Sequence, residues 1–238
     1  MTATIAALTP HQTTGSKNCH KCGAEFQIPE WMPKLIADAS GICEPCSHRD
    51  AIADGQKLVE KSKLCREQTW RRICPPDYLD TVPSKLPFPM KLNSVIAWKY
   101  GPKGLLLHSP TGAGKSRCAW MLLKREWEAG RTVKSLNASA GLTYAEKYSR
   151  SPDEVGLWID RLCQTDLLLL DDVFKSKLTD SFESALFTIV MHRTEHKLPI
   201  IVTTNDNGDS LLQRFSPDRG EPFVRRIKEF CTLISFAK

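Results

Sequence analysis

Apolar residues recur along the chain in two rhythms, and each predicts a kind of element. Short apolar runs bounded by polar, Gly or Pro residues read as buried strands at Gly104–His108, Thr132–Leu136, Asp166–Leu170, Pro199–Thr203 and Cys231–Phe236. The four leucines from Leu167 to Leu170 need cover on both faces, the situation of a strand inside a parallel sheet. Between these runs, apolar positions return at helical spacing. They predict helices over about Lys115–Ala129, Leu142–Ser149, Pro152–Gln164, Asp180–His196, Ser210–Phe215 and Glu221–Glu229, with Phe182, Leu186, Ile189 and Val190 on one face. Strands alternating with helices at this spacing predict an α/β domain over residues 74–238, built on five strands.

The first third of the chain lacks this alternation. Residues 1–17 are rich in Thr, Ala and Gln without periodicity and read as a disordered leader. Residues 18–50 carry Cys19-His20-Lys21-Cys22-Gly23 and then Cys43-Glu44-Pro45-Cys46, a C-x₂-C-x₂₀-C-x₂-C spacing. Each C-x-x-C turn places two thiolates on one tetrahedral ion, so Cys19, Cys22, Cys43 and Cys46 are the expected ligands of a structural Zn²⁺ with no open catalytic position. His20 and His48 flank them as minor alternatives. A module this small needs the metal's binding energy to fold. Its interior residues Phe26, Trp31, Met32 and Leu35 read as packing around the metal, with a stacking surface for bases as the alternative. Residues 51–73 form a helical connector with a basic, solvated face (Lys57, Lys61, Lys63, Arg66, Arg71, Arg72). Prolines 75, 76, 83, 87 and 89 then mark an irregular lead-in, followed by a short helix from about Lys91 to Tyr100.

The chemistry concentrates where the first strand of the α/β domain meets its first helix. Ser109, Pro110, Thr111, Gly112, Ala113, Gly114, Lys115, Ser116 and Arg117 form a strand–turn–helix junction with the P-loop pattern, except that Ser109 stands where its first Gly belongs. Backbone N–H groups of such a turn cradle phosphate, and the helix N-terminus adds its dipole. Lys115 would meet the β- and γ-phosphates, and the Ser116 hydroxyl would ligate Mg²⁺. At the end of the third strand, Asp171 is placed to hold the ion and Asp172 to orient and deprotonate an attacking water. Asn205, just past the fourth strand, would hydrogen-bond that water.

Composition narrows the setting. Of 238 residues, 41% are hydrophobic and 25% charged, as in an ordinary soluble protein, and the net charge of +6 is compatible with nucleic acid or an acidic partner. No apolar run has membrane-spanning length, and the N-terminus lacks a signal-peptide pattern. Nine cysteines in a chain with no secretion signal favour metal over disulfides and predict a cytoplasmic protein.

Taken together, HSPTGAGKS, LLLLDDV and IIVTTN resemble AAA+ ATPases. More narrowly they resemble the initiator-like branch, with the bacterial helicase loaders (DnaC-like) and transposition helper ATPases (IstB-like); SFESALFTIVMHRTEHKLPIIVTTN carries the likeness furthest. The resemblance spans about Trp70 to Lys238 and implies a parallel sheet in the order 5-1-4-3-2, with ATP bound between subunits of a homo-oligomer. It also implies an arginine finger given in trans before the last strand. Arg226 matches best, with Arg225 beside it and Arg214 and Arg219 as weaker candidates. The chain stops twelve residues after Arg226, so no helical lid is expected, and turnover should be weak and stimulated by DNA or a partner. The expected protein is an ATPase in DNA replication that loads a replicative helicase and engages single-stranded DNA. A helper delivering a transposase to target DNA, and a zinc-finger DNA-binding adaptor using ATP structurally, are the alternatives. Whether the zinc module docks a protein client or binds single-stranded DNA stays open at this level.

Overall fold

Five short apolar strands cannot each satisfy their backbone groups alone, and they do so as one parallel sheet: β3 (Gly104–His108), β4 (Val133–Leu136), β5 (Leu167–Asp171), β6 (Ile200–Thr204) and β7 (Cys231–Ser235). The computed structural model describes residues 13–29, 41–86, 89–175 and 178–236. The lateral order is β4-β5-β6-β3-β7, which in the sheet's own sequence order reads 5-1-4-3-2. Strands β5 and β6 are buried along their whole length. Gly104 opens β3 because a Cβ there would sit 2.0 Å from the Ile200 carbonyl oxygen of β6, so only glycine permits this approach.

Alternate residues of the strands feed two cores, one on each face. One face carries Leu168, Leu170, Ile200 and Val202 against α5 (Ala140–Arg150), α6 (Pro152–Gln164), α7 (Asp180–Glu195) and α9 (Pro217–Phe230). The other carries Leu105, Leu107, Leu167, Leu169 and Ile201 against α3 (Pro89–Ala97) and α4 (Lys115–Glu128). A short helix, α8 (Gly208–Leu212), follows β6, and its cap is Asn207, whose side chain accepts from the Ser210 N–H.

Arg193 of α7 ties the starting ends of β5 and β6 together. It is fully buried and forms no ion pair among the described residues. Its Nη1 donates to the carbonyls of Leu162, Cys163 and Thr165 at 2.8, 3.2 and 2.7 Å, and its Nη2 to those of Asp166 and Pro199 at 3.1 and 2.8 Å. Burial lowers its pKa to about 10, which still leaves it protonated at neutral pH.

Several boundaries differ from the sequence reading. Residues 13–17 are not leader: with Asn18 they form β1 (Thr13–Asn18), antiparallel to β2 (Glu25–Pro29). Polar TTGSKN has no apolar alternation to betray a strand, and its order comes from the ladder. The rest of that leader, and Trp31, Met32 and Leu35, lie outside the described residues. The connector helix begins earlier, inside the second cysteine pair, as α1 (Glu44–Ile73). Helix α9 starts at Pro217 rather than Glu221, and the interior Pro222 hides that start from a periodicity reading. The chain divides into two compact units between Thr69 and Trp70. No helix among the described residues is long and apolar enough to cross a membrane.

Replacing Arg193 by Met leaves a set of buried carbonyls without their donor. Chemical denaturation is expected to show a loss of about 3 kcal/mol or more, well beyond that of an exposed Arg225→Met control.

Candidate nucleotide site and metal centre

The turn after β3 is shaped by its glycines. Gly112 and Gly114 have φ of 87° and 83°, in the left-handed region, and Gly114 is the N-cap of α4. No side chain caps this helix, so the N–H groups of its first turn point into the loop. Ser109, at the place of the missing first glycine, is fully buried and donates its N–H to the Thr204 carbonyl at 3.4 Å. A side chain is tolerated there because it folds inward, its Oγ donating to the Pro110 carbonyl at 2.9 Å.

Lys115 is buried with four neutral acceptors around its Nζ: Asn205 Oδ1 at 2.7 Å, Ser109 O at 2.8 Å, and Ser109 Oγ and Pro110 O at 3.2 Å each. Burial pushes its pKa down, while Asp172 and Asp171 oppose that shift. A buried ammonium held only by neutral oxygens is a cation short of an anion.

The acidic end of β5 is fixed by β6. Asp171 Oδ1 accepts from Ser116 Oγ at 2.6 Å and from Thr203 Oγ1 at 2.7 Å. Thr203 Oγ1 in turn accepts from the Asp172 N–H at 3.0 Å. One hydroxyl thereby orients both aspartates. Asp172 has φ 50°, a strained backbone for a non-glycine residue that Asp tolerates better than most. Burial, and then the charge of Asp171, push its pKa up, with Lys115 and Lys175 pulling the other way.

Together these residues line a cavity of about 480 Å³ with Tyr78, Thr111, Gly112, Ala113, Gly114, Lys115, Ser116, Arg117, Asp172 and Asn205 on its walls. Thus the structure brings the P-loop, the second aspartate and Asn205 to one opening, with Asp171 behind Ser116. Tyr78 and Thr203 escaped the sequence reading. Tyr78, on α2 (Pro76–Leu79), stacks on Trp120 with centroids 6.0 Å apart, and the Arg117 guanidinium lies 5.9 Å from its ring. Only prolines mark that stretch in the sequence, and they say nothing of the ring's destination.

The four arginines take different places. Arg225 stands exposed and Arg226 half-buried on α9, 4.0 and 3.6 Å from Glu229, and neither lines this chain's own cavity. Arg219 lies 3.8 Å from the buried Glu183, which also accepts from the N–H and hydroxyl of Ser216 and so fixes the start of α9. Arg214 forks onto Asp206, with Nε–Oδ2 and Nη2–Oδ1 distances of 3.2 and 3.3 Å.

At the N-terminus the sulfurs of Cys19, Cys22, Cys43 and Cys46 lie within 4.8 Å of one another, and all but Cys22 are buried. Tetrahedral zinc with Zn–S near 2.3 Å needs sulfurs roughly 3.8 Å apart, so this cluster fits the ion with little movement. Cys19 Sγ accepts from the N–H groups of Cys43 and Lys21 at 3.3 and 3.4 Å, and Arg49 donates to Cys46 Sγ at 3.0 Å. These donors favour thiolates, and the Cys43 N–H foremost brings Cys19 down to about 6. For Cys43 the N–H of Cys46 acts in the same direction, but burial and the neighbouring sulfurs outweigh it and push that thiol up to about 12. Four thiols this close need a cation before all can ionise. His20, exposed, lies over Gly41, where a Cβ would stand 2.5 Å from its Nδ1.

No protein-family profile and no curated protein sequence matches the chain. Solved structures do. A DnaI structure superposes with a TM-score of 0.53 at 20% identity, covering 68% of this chain and 94% of that one. The DnaC helicase loader gives 0.52 at 19%, covering 70% and 98%. The replication initiator DnaA, bound to AMPPCP and single-stranded DNA, gives 0.53 at 16%, covering 68% and 50%. The fold is that of AAA+ ATPases. This chain spans about half the length of the DnaA structures it matches and nearly all of the AAA+ loader structures.

Protein purified with zinc is expected to hold one ion per chain by atomic absorption, and its cobalt form to show the visible bands of tetrahedral thiolate coordination. Cys43→Ser should lose both signals; full metal content in that variant would remove Cys43 from the ligand set.

Proposed function

We propose that this protein is an ATP-hydrolysing AAA+ enzyme of DNA replication that loads a replicative helicase and engages single-stranded DNA. The observation that carries the ATP reading is Lys115, a buried ammonium at the mouth of a left-handed glycine turn, ringed by neutral oxygens alone. Phosphate supplies the anionic acceptor that the hydrogen bonds of Lys115 among the described residues lack, and the uncapped start of α4 adds its N–H groups and dipole.

The residues divide the labour of phosphoryl transfer. Residues 109–117 bind the phosphates, and Lys115 draws charge off the β–γ bridge. Ser116 and Asp171, already hydrogen-bonded to each other, would hold Mg²⁺, which when bound neutralises the phosphate oxygens. Asn205 orients the attacking water. Its oxygen bonds to the γ-phosphorus as the bond to the bridging oxygen breaks, ADP departs with that electron pair, and the water's proton passes to the Asp172 carboxylate. Asp172 suits this role because burial and Asp171 make it more basic than a surface carboxylate. Arg226, half-buried on α9, is the finger offered to a neighbouring subunit in a homo-oligomer, where it stabilises charge on the transferred group.

The replication assignment draws on the loader and initiator structures that share the fold, and on the basic balance of the chain. The zinc module with its basic helix α1 is the docking element for the helicase, and the setting is the cytoplasm.

Fluorescent-nucleotide titration is expected to show at least about 100-fold weaker ATP binding in Lys115→Ala, since a phosphate-bound buried charge is lost. In steady-state assays Asp172→Asn, which keeps the left-handed backbone accessible, should lower kcat by about 10²-fold or more at unchanged nucleotide affinity. Arg226→Ala should keep nucleotide affinity within about threefold and lose turnover stimulated by single-stranded DNA, by about 10³-fold if the finger acts at full strength. Normal stimulated turnover in that variant rules out the finger assignment, and absence of turnover with or without DNA in the unaltered protein favours a structural role for ATP.

A further inference from the structure

Behind the nucleotide cavity lies a second, smaller one of about 50 Å³, walled by Asp172, Asn205, Asp206, Arg214, Lys175 and Phe174. Asp172 and Asn205 line both cavities, so they form the partition between them. The smaller space is far too tight for a nucleotide and has room for ordered water. Its polar walls offer the two to four partners that an ordered water needs.

Arg214 holds a fixed place on this wall. Its guanidinium spends two N–H groups on Asp206 and keeps three of its five donors for other acceptors. The next residue, Phe215, is buried and packs 5.6 Å from Phe174 and 4.5 Å from Phe223, centroid to centroid, which anchors the backbone beneath the arginine. Asp206 is itself pinned, its N–H donating to Thr204 Oγ1 at 3.0 Å, directly after the Asn205 that bonds Lys115.

Building on the ATPase reading, we propose that the small cavity is the chamber of the attacking water, and that Arg214, supplied in cis and aimed by Asp206, is a catalytic donor to that water and to the γ-phosphate in the transition state. Arg214 and Arg226 then act from opposite sides: one from the chain that binds the nucleotide, the other from its neighbour. A donor that engages only the transition state lowers kcat and leaves ground-state binding alone.

Phosphate mimics on ADP separate these states. Arg214→Met is expected to bind fluorescent ADP and to trap ADP–beryllium fluoride, a ground-state mimic, within about threefold of the unaltered protein. It should fail to trap ADP–aluminium fluoride, the planar mimic that includes the attacking water, and lose kcat by at least about tenfold, the lower side of what one transition-state donor supplies. Arg214→Lys should restore part of the trapping. Mixing with Lys115→Ala subunits, which carry an intact Arg226 but bind no nucleotide, should rescue Arg226→Ala and leave Arg214→Met inactive. Normal aluminium-fluoride trapping by Arg214→Met, or its rescue by mixing, overturns the proposal while leaving the ATPase reading intact. If Arg214→Met does not fold by thermal melting, the isosteric Asp206→Asn carries the same expectation for trapping, and normal trapping there overturns it equally. An unaltered protein that binds no nucleotide sinks the ATPase reading and this one with it.

Discussion

Everything at the nucleotide end of the sheet depends on the relative register of β5 and β6, and one buried guanidinium holds that register at the other end. Arg193 gathers carbonyls from the end of α6, the start of β5 and the start of β6 into a single fork. Each strand then runs five residues and stops. Their register, offset by one residue so that Leu168 pairs with Ile200, brings Asp171 opposite Thr203, and a threonine hydroxyl falls where it can serve both aspartates. Slipping β6 by one residue would turn Thr203 to the other face of the sheet and leave Asp171 without its donor. An interaction without any chemistry of its own thus sets the geometry of the acidic turn.

At the opposite end the electrostatics are deliberately unbalanced. Asp171 and Asp172 stand beside one buried ammonium that forms no ion pair among the described residues, and its contacts are all to neutral oxygens. Asn205 touches that ammonium and also borders the small polar chamber, so a change at the phosphate end reaches Asp206 and Arg214 through a single backbone step. The strained backbone at Asp172 belongs to the same economy. The turn that sets Asp171 behind Ser116 and Asp172 on the cavity wall holds its second residue in the left-handed region.

Much of the architecture was legible because burial writes itself into sequence. The run Leu167–Leu170 announced a fully covered strand and the run PIIVT another strand, and the observed strands begin and end within a residue of the expected ones. The P-loop spacing and the cysteine spacing were legible for another reason: phosphate and metal geometry fix residue intervals along the chain. What escaped depends on contacts between distant segments. Tyr78 reaches the cavity from a proline-rich lead-in, Thr203 acts through a strand pairing, and for Arg214, named only as a weaker finger candidate, the ion pair with Asp206 eight residues away was not legible. Strand β1 escaped because TTGSKN has no hydrophobic signature, its order being lent by β2.

The cysteine cluster has a weak side. Cys19, Cys43 and Cys46 are buried, while Cys22 is open to solvent. In a tetrathiolate centre the exposed sulfur is the one that oxidants and competing chelators reach first. Were that ligand lost from a bound ion, three crowded thiolates would remain, and among the described residues only Phe26 packs against the sulfurs. The protection of one sulfur atom would then bear on how long such a centre lasts. The α/β unit rests on two large apolar clusters of its own.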